Sequence, residues 1–183
     1  MITIGIGWLS IIGLFIIISL IFWGISLFVQ KRKPNLKRIL TDFVFILYLV
    51  GLVLVTMFPL SFGPLFSGMN HPFEAYVQLV PFRSILEYLT DLNLHSCIQL
   101  FGNIFMLAPL AIYINAFYNW SFKKNLIFVC LFSFGIEFVQ GTWDFFNHWP
   151  YKKVDIDDVF SNMTGYLLTL FFIPRIKKLY DKL

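Results

Sequence analysis

Charge is what this sequence has least of. Only 13% of its 183 residues are Asp, Glu, Lys or Arg, while 58% are hydrophobic and 20% aromatic, for a mean hydropathy of +0.77. A soluble domain of this length leaves roughly a third of its chain surface wet, and so apolar a chain lacks the polar residues to cover that surface. Lipid, rather than water, is therefore the expected solvent for most of its surface. Cysteine is scarce too: Cys97 and Cys130 make no disulfide framework, and neither has a companion at metal-ligand spacing. There is no internal repeat, so a tandem transporter architecture gets no support. Nor is there a Gly-x-Ser-x-Gly, a His-Glu-x-x-His or a glycine-rich phosphate loop. The net charge of +4 is a weak footprint for nucleic acid, which is not expected as a partner.

Long apolar runs are plentiful. Five come near the roughly 20 residues that a bilayer crossing needs: Gly5 to Val29, Phe43 to Pro59, Ile98 to about Tyr118, Leu126 to about Trp143, and about Asp155 to Pro174. The first lacks the basic residues that precede a signal-peptide core and is too long for one. The expected fold is a single all-α integral membrane domain over 1–183, with five transmembrane helices.

Orientation follows from the basic residues. Lys31, Arg32, Lys33, Lys37 and Arg38, then Lys123 and Lys124, then Arg175, Lys177, Lys178 and Lys182 fall on one side, eleven of fourteen. The other side has Arg83, Lys152 and Lys153. The first side is expected to be cytoplasmic, with the N-terminus outside and the C-terminus inside. Cys97 and Cys130 then lie near opposite faces, too far apart to bridge. Seven of the ten acids (Glu74, Glu87, Asp91, Asp144, Asp155, Asp157 and Asp158) fall on the outer side, and Glu137 sits within the fourth span.

The long outer loop between the second and third spans, Leu60 to Cys97, carries Phe62, Phe66, Phe73, Tyr76 and Phe82, too many aromatics for a free linker. Gly63-Pro64, Pro72 and Pro81 break it. Beyond them Ser84-Ile-Leu-Glu87 fits a capping box, followed by a stripe of Ile85, Tyr88, Leu89 and Leu92. This pattern predicts a short amphipathic helix from Ser84 to about Asp91, lying in the outer interface.

Within the spans the polar residues fall at matching depth. Ser133, Glu137, Gln140 and Asp144 share one face of the fourth. Glu137 precedes Trp143 by six residues, about 9 Å below the interface at 1.5 Å per residue. His95, Gln99 and Asn103 form a stripe in the third span. Asp155, Asp158, Asn162 and Gly165 line one face of the fifth, with Asn162 roughly 10 Å deep. Asn103, Glu137 and Asn162 are thus expected in one layer, in reach of Asp158. Polar groups at such depth face a protein interior or a watery cavity. Asp155, Asp157 and Asp158 in a first helical turn also suit capping and the helix dipole, and the two asparagines suit helix-to-helix bonding. Glu137 needs a partner in hydrocarbon, and Arg83 is its candidate partner or else an anion-binding group. Hard oxygen ligands at Asp155, Asp157 and Asp158 suit a divalent cation, but their spacing is not specific to one, and no cofactor is expected.

Four segments taken together resemble the VanZ-like family of bacterial membrane proteins. They are Gln78-Leu-Val-Pro81-Phe82-Arg83-Ser84, Gly102-Asn103-Ile-Phe-Met-Leu-Ala-Pro109-Leu, Glu137-Phe-Val-Gln140, and Asp155-Ile-Asp157-Asp158-Val-Phe-Ser-Asn162-Met-Thr-Gly165. The resemblance covers about Phe45 to Phe172 and divides the chain into an N-terminal helix with a basic loop, 1–42, and a VanZ-like core, 43–174. Gln78 stands where the family has asparagine, Ala111 where it has glycine, and Lys152 where it has arginine, which costs bidentate pairing. The resemblance implies a multi-pass protein of the cell membrane, expected in a Gram-positive bacterium, and for the founder lower susceptibility to teicoplanin-type glycopeptides.

Three functions compete. In the first the protein binds an anionic lipid or cell-wall precursor at the outer leaflet through Arg83, Asn103, Glu137, Gln140, Lys152, Asp155, Asp158 and Asn162, the cations meeting phosphate. The second is an enzyme acting on such a lipid, with Glu137 or Asp158 as acid-base. The third is a structural subunit of an envelope complex.

Overall fold

The computed structural model describes residues 2–4, 7–29, 36–57, 60–62, 71–148, 150 and 152–182. The basic cluster Lys31-Arg32-Lys33, the Gly63-Pro64 break and Phe66 lie outside the described residues. The chain forms two compact units, 1–65 and 66–183.

In the first unit, α1 (Trp8–Val29) is apolar on nearly every face, the pattern of a membrane span rather than of a helix with one core-facing stripe. Its partner α2 (Leu36–Met57) meets it through edge-on ring pairs such as Phe15–Phe43, with centroids 5.9 Å apart. α2 opens seven residues before the expected Phe43, because its polar first turns are satisfied internally. Arg38 pairs with the buried Asp42 at 2.8 Å, and the Thr41 hydroxyl donates to the Lys37 carbonyl. Two short antiparallel strands, β1 (Ile2–Ile4) and β2 (Leu60–Phe62), pair Thr3 with Ser61.

The second unit begins with a 3-10 turn at Phe73–Ala75 and β3 (Val77–Gln78), and continues through α3 (Arg83–Thr90), the expected short helix. The third apolar run is two helices, α4 (Leu94–Met106) and α5 (Ala108–Tyr118), meeting at Leu107. Pro109, at the second position of α5, has no N–H to return to the preceding turn, so the helix breaks there. α4 starts four residues earlier than expected, since Asn93 caps it by accepting from the Ser96 amide at 2.9 Å. α6 (Phe122–Phe146) is one unbroken helix, and β4 (Val154–Asp155) leads straight into α7 (Ile156–Leu170) and then α8 (Ile173–Lys182).

Among the described residues four helices are long and apolar enough to cross a membrane: α1, α2, α4 with α5, and α6. The expected fifth span is the 15-residue α7, about 22 Å long at 1.5 Å per residue and short of the roughly 30 Å hydrocarbon core. It is nevertheless the centre of the unit, packed against α4, α5 and α6. Gly165 makes that possible: a Cβ there would lie 1.5 Å from the Ile104 carbonyl oxygen, so only a bare backbone lets α4 approach. Such close approach through a small residue is a common device of membrane helices. Leu107, Val129, Val159 and Tyr166 are sealed around the crossing.

Candidate functional site

The site is built at the end of the second unit where α6 stops and α7 starts. β3 and β4 pair there in parallel, Gln78 opposite Asp155, and this two-residue ladder brings the segment before α3 against the head of α7. Asp155 caps α7, its Oδ1 accepting from the Asp157 amide at 2.9 Å. The same carboxylate accepts from the Ser84 hydroxyl, and from the Gln78 side-chain amide at 3.5 Å. Gln78 also braces the bend before Pro81, accepting from the Val80 amide at 2.7 Å and donating to the Val80 carbonyl at 2.9 Å.

Asp157 points the other way, into the start of α3. Its carboxylate accepts from the backbone amides of Phe82 at 2.6 Å, Ser84 at 2.8 Å and Ile85 at 3.3 Å. These are the donors that a helix N-terminus leaves orphaned, satisfied by an acid from another helix. The expected capping box at Ser84–Glu87 is therefore corrected. α3 is entered from Phe82, which takes the left-handed conformation at φ 65, a strained position for a bulky residue. Ser84 lies inside the first turn with its hydroxyl on Asp155, and Glu87 pairs with Arg83. Asp155 and Asp157 are thus occupied by backbone and hydroxyl donors, and among the described residues no three His, Cys, Asp or Glu side chains converge to hold a metal ion.

Asp158 and Glu137 are placed differently. Asp158 on α7 lies beside the Asn103 side chain of α4. Glu137, only 3% exposed, faces α7 and accepts from the Asp155 amide at 3.0 Å. Asp158, Asp155 and Lys152 are all within its electrostatic reach. One turn away from Glu137 on α6 and from Asp158 on α7 lie Ser133 and Asn162, both fully buried. Among the described residues the Ser133 hydroxyl and both polar atoms of the Asn162 amide have no hydrogen-bond partner. A buried amide without partners costs about 1–3 kcal/mol, so its retention calls for a reason.

Of the expected layer, the structure sets Glu137 and Asp158 at the head of α7 with Asn103 beside Asp158, while Asn162 lies one turn deeper and bonds none of them. Gln140 is half-buried on the same helix as Glu137. His95 is exposed and stays out, though it shares the α4 stripe with Asn103. Arg83 does not partner Glu137: its Nε lies 3.1 Å from Glu87, and its side chain is 58% exposed. The cation near Glu137 is Lys152, half-buried, whose backbone amide donates to Asp144. Burial pushes the Lys152 ammonium below the ordinary lysine value, and the neighbouring Asp144 and Glu137 carboxylates only partly offset this.

Three residues of this site were not among the sequence candidates: Gln78, Ser84 and Tyr88. Tyr88 is half-buried, and its phenol is pushed up to about 12 by burial first and then by the negative charges of Asp158, Asp155, Glu87 and Asp157. The signal for it was available, since Tyr88 follows Ser84 by four residues and so shares its helical face. Its aromatic ring also fits the apolar stripe, which masks that signal.

No curated protein and no solved structure matches this chain. The family model described as VanZ/LLP1 matches residues 45–177, a span that holds α3 to α7 and every member of the acidic cluster. Matched over well more than half its length, with its buried acids and amides inside the matched span, the chain belongs to the VanZ/LLP1 family of membrane proteins.

Proposed function

We propose that this VanZ-type membrane protein binds the headgroup of an anionic lipid or cell-wall precursor at the outer leaflet of the cell membrane, and thereby lowers susceptibility to teicoplanin-type glycopeptides. The topology this requires has five membrane passages, with α7 as the fifth, the N-terminus outside and the acidic end of the second unit facing out. The host would be a Gram-positive bacterium.

The observation that carries the reading is the layer of Glu137, Asp158, Asn103 and Asn162 under the acidic end. Two carboxylates not used for capping stand beside a buried amide with no hydrogen-bond partner. Such a layer suits a ligand rich in hydroxyl or amine donors, as sugar and peptide headgroups are. Phosphate would meet Arg83, whose exposed ion pair with Glu87 is worth at most about 1 kcal/mol and is readily exchanged.

The test is glycopeptide susceptibility, teicoplanin against vancomycin, in a sensitive Gram-positive host expressing each variant, with co-purified lipid identified by mass spectrometry. Glu137→Gln keeps an acceptor for the Asp155 amide but removes the charge. Arg83→Ala removes an exposed side chain. Both are expected to abolish protection and lipid retention at unchanged membrane abundance. Equal protection by wild type and both variants would make the cluster a structural element and favour the subunit reading.

A further inference from the structure

The opposite end of the second unit carries a cavity of about 300 Å³ between the α5–α6 turn and α8, lined among others by Asn119, Trp120, Asn125, Ile173 and Lys177. It lies about 18 Å from the acidic site, taking the twelve residues from Asn125 to Glu137 at 1.5 Å each. We propose that this cavity binds the phosphate of an anionic phospholipid headgroup.

Its inner wall is fixed. Asn115 and Asn125 exchange hydrogen bonds at 2.9 and 2.8 Å, and the Tyr166 hydroxyl donates to the same Asn125 oxygen at 2.6 Å. The remaining amide hydrogens go to carbonyls of Ala111, Trp120 and Ser121. These amides, satisfied among themselves, form a rigid floor. The mouth holds the ligand groups. Lys177 donates to the Asn119 side-chain oxygen, and an ammonium has three donors, so the interaction with Asn119 orients the cation without exhausting it. Asn119 itself is held in the left-handed conformation at φ 49, where it ends α5, an arrangement asparagine tolerates better than most residues. Trp120 lines the cavity, and Lys124 stands 4.2 Å over its ring.

The surroundings select the ligand. Lys177 lines the mouth and Lys124 stands over Trp120 there, while α8 also carries Arg175, Lys178 and Lys182, with Asp181 its lone acid. α8 is pinned by the buried Ile173 and by Tyr180, whose ring meets Phe117 edge-on at 5.6 Å. The neighbouring Phe171, Phe172 and Leu179 are more than half exposed. A basic amphipathic helix beside bare apolar side chains suits a lipid, whose acyl chains cover the apolar groups while the phosphate meets the lysines. A free anion would use only the second half of that surface.

The experiment is native mass spectrometry of the full-length protein in mild detergent, with chain-matched phosphatidylglycerol and phosphatidylcholine. Wild type should retain phosphatidylglycerol preferentially. Lys177→Ala should lower retention about fivefold, the effect of one lysine near a surface, and Lys124→Ala similarly. Lys177→Arg, which keeps the charge, should retain most of it, and Lys153→Ala at the other end should change nothing. If Lys177→Ala does not accumulate, Asn119→Asp takes its place, since a carboxylate beside Lys177 should repel phosphate at least as strongly. Equal retention of both lipids by all variants overturns the proposal. So does displacement by inorganic phosphate with no preference between the lipids, which would mark a free-anion site.

Discussion

Asp157 offers the sharpest test of how the site is held together. It is 1% exposed and accepts from three amides at the start of α3. Substituting Asp157→Asn keeps its volume but replaces one acceptor oxygen with an NH2 group, which then faces a donor. A hydrogen bond to a charged acceptor is worth about 1.5–3 kcal/mol, and a buried donor left unpaired costs about 1–3 kcal/mol. Phe82 is largely exposed, so water can recover its amide, while Ser84 is buried. Counting one full loss and partial recovery elsewhere, the anchor of α3 should weaken by about 3 kcal/mol.

The readout is amide hydrogen exchange across residues 82–90. A loss of about 3 kcal/mol speeds exchange through local opening about 150-fold, at a factor of ten per 1.4 kcal/mol. Protection at the core of α6 should change far less, because Asp157 bonds α3 and not α6. Exchange across α3 that stays at the wild-type rate would refute the tether. An equal loss of protection in α3 and α6 would refute its local character.

Gly165→Ala should lower thermal stability in detergent by about 3 kcal/mol, the upper range of overpacking: the new methyl meets a backbone oxygen at 1.5 Å, which outweighs the roughly 1 kcal/mol that alanine gains in a helix; unchanged or higher stability would sink the close-approach argument. Lys152 has its ammonium pushed below the ordinary lysine value, so its reactive neutral amine should appear at lower pH than that of exposed Lys153, read by the pH midpoint of amine labelling. Because the unfolded chain then binds more protons, Lys152 should add stability as pH rises from its folded value toward the ordinary 10.5, and Lys152→Met should remove that slope. For the proposed topology, a cysteine at Lys153 in a Cys97- and Cys130-free background should react with an impermeant reagent from outside, and one at Lys123 only after permeabilisation; the reverse pattern refutes it.

Periodicity and depth carried the sequence reading far within single helices. Glu137, Asp158 and Asn162 face inward because hydrocarbon leaves them nowhere else to go, and that constraint is visible in one helix at a time. The short helix after Pro81 was visible for the same reason. What lay beyond reach was pairing across the chain. Nothing near Ser84 indicates that its helix is capped by an acid 73 residues later, or that Arg83 turns to Glu87 and leaves Lys152 beside Glu137. The Asn115–Asn125 pair leaves no mark in the sequence, because each asparagine alone is an ordinary residue near a helix end. Pro109 breaks the third apolar run into α4 and α5, a break that hydropathy alone does not show because both halves are apolar.

The pairing at the acidic end also constrains how a headgroup would enter it under the proposed reading. The carboxylate oxygens of Asp155 and Asp157 are taken up by hydroxyl and backbone donors, and Asp144 takes the Lys152 amide. The remaining carboxylates are Glu137 and Asp158, the latter beside Asn103. Against them stands one half-buried cation whose ammonium form is disfavoured there. A phosphate pushed to that depth would meet several acids and little positive charge, and like-charge juxtaposition costs several kcal/mol. Hydroxyl or amine groups would enter first, with the phosphate left at the rim where Arg83 is exposed. That order makes the two variants separable. Glu137→Gln should impair recognition of the sugar or peptide portion even for a ligand lacking phosphate. Arg83→Ala should weaken only phosphate-bearing ligands, and by less at high salt, where exposed charges are screened. Identical losses for both variants on a phosphate-free analogue would reverse the order of entry.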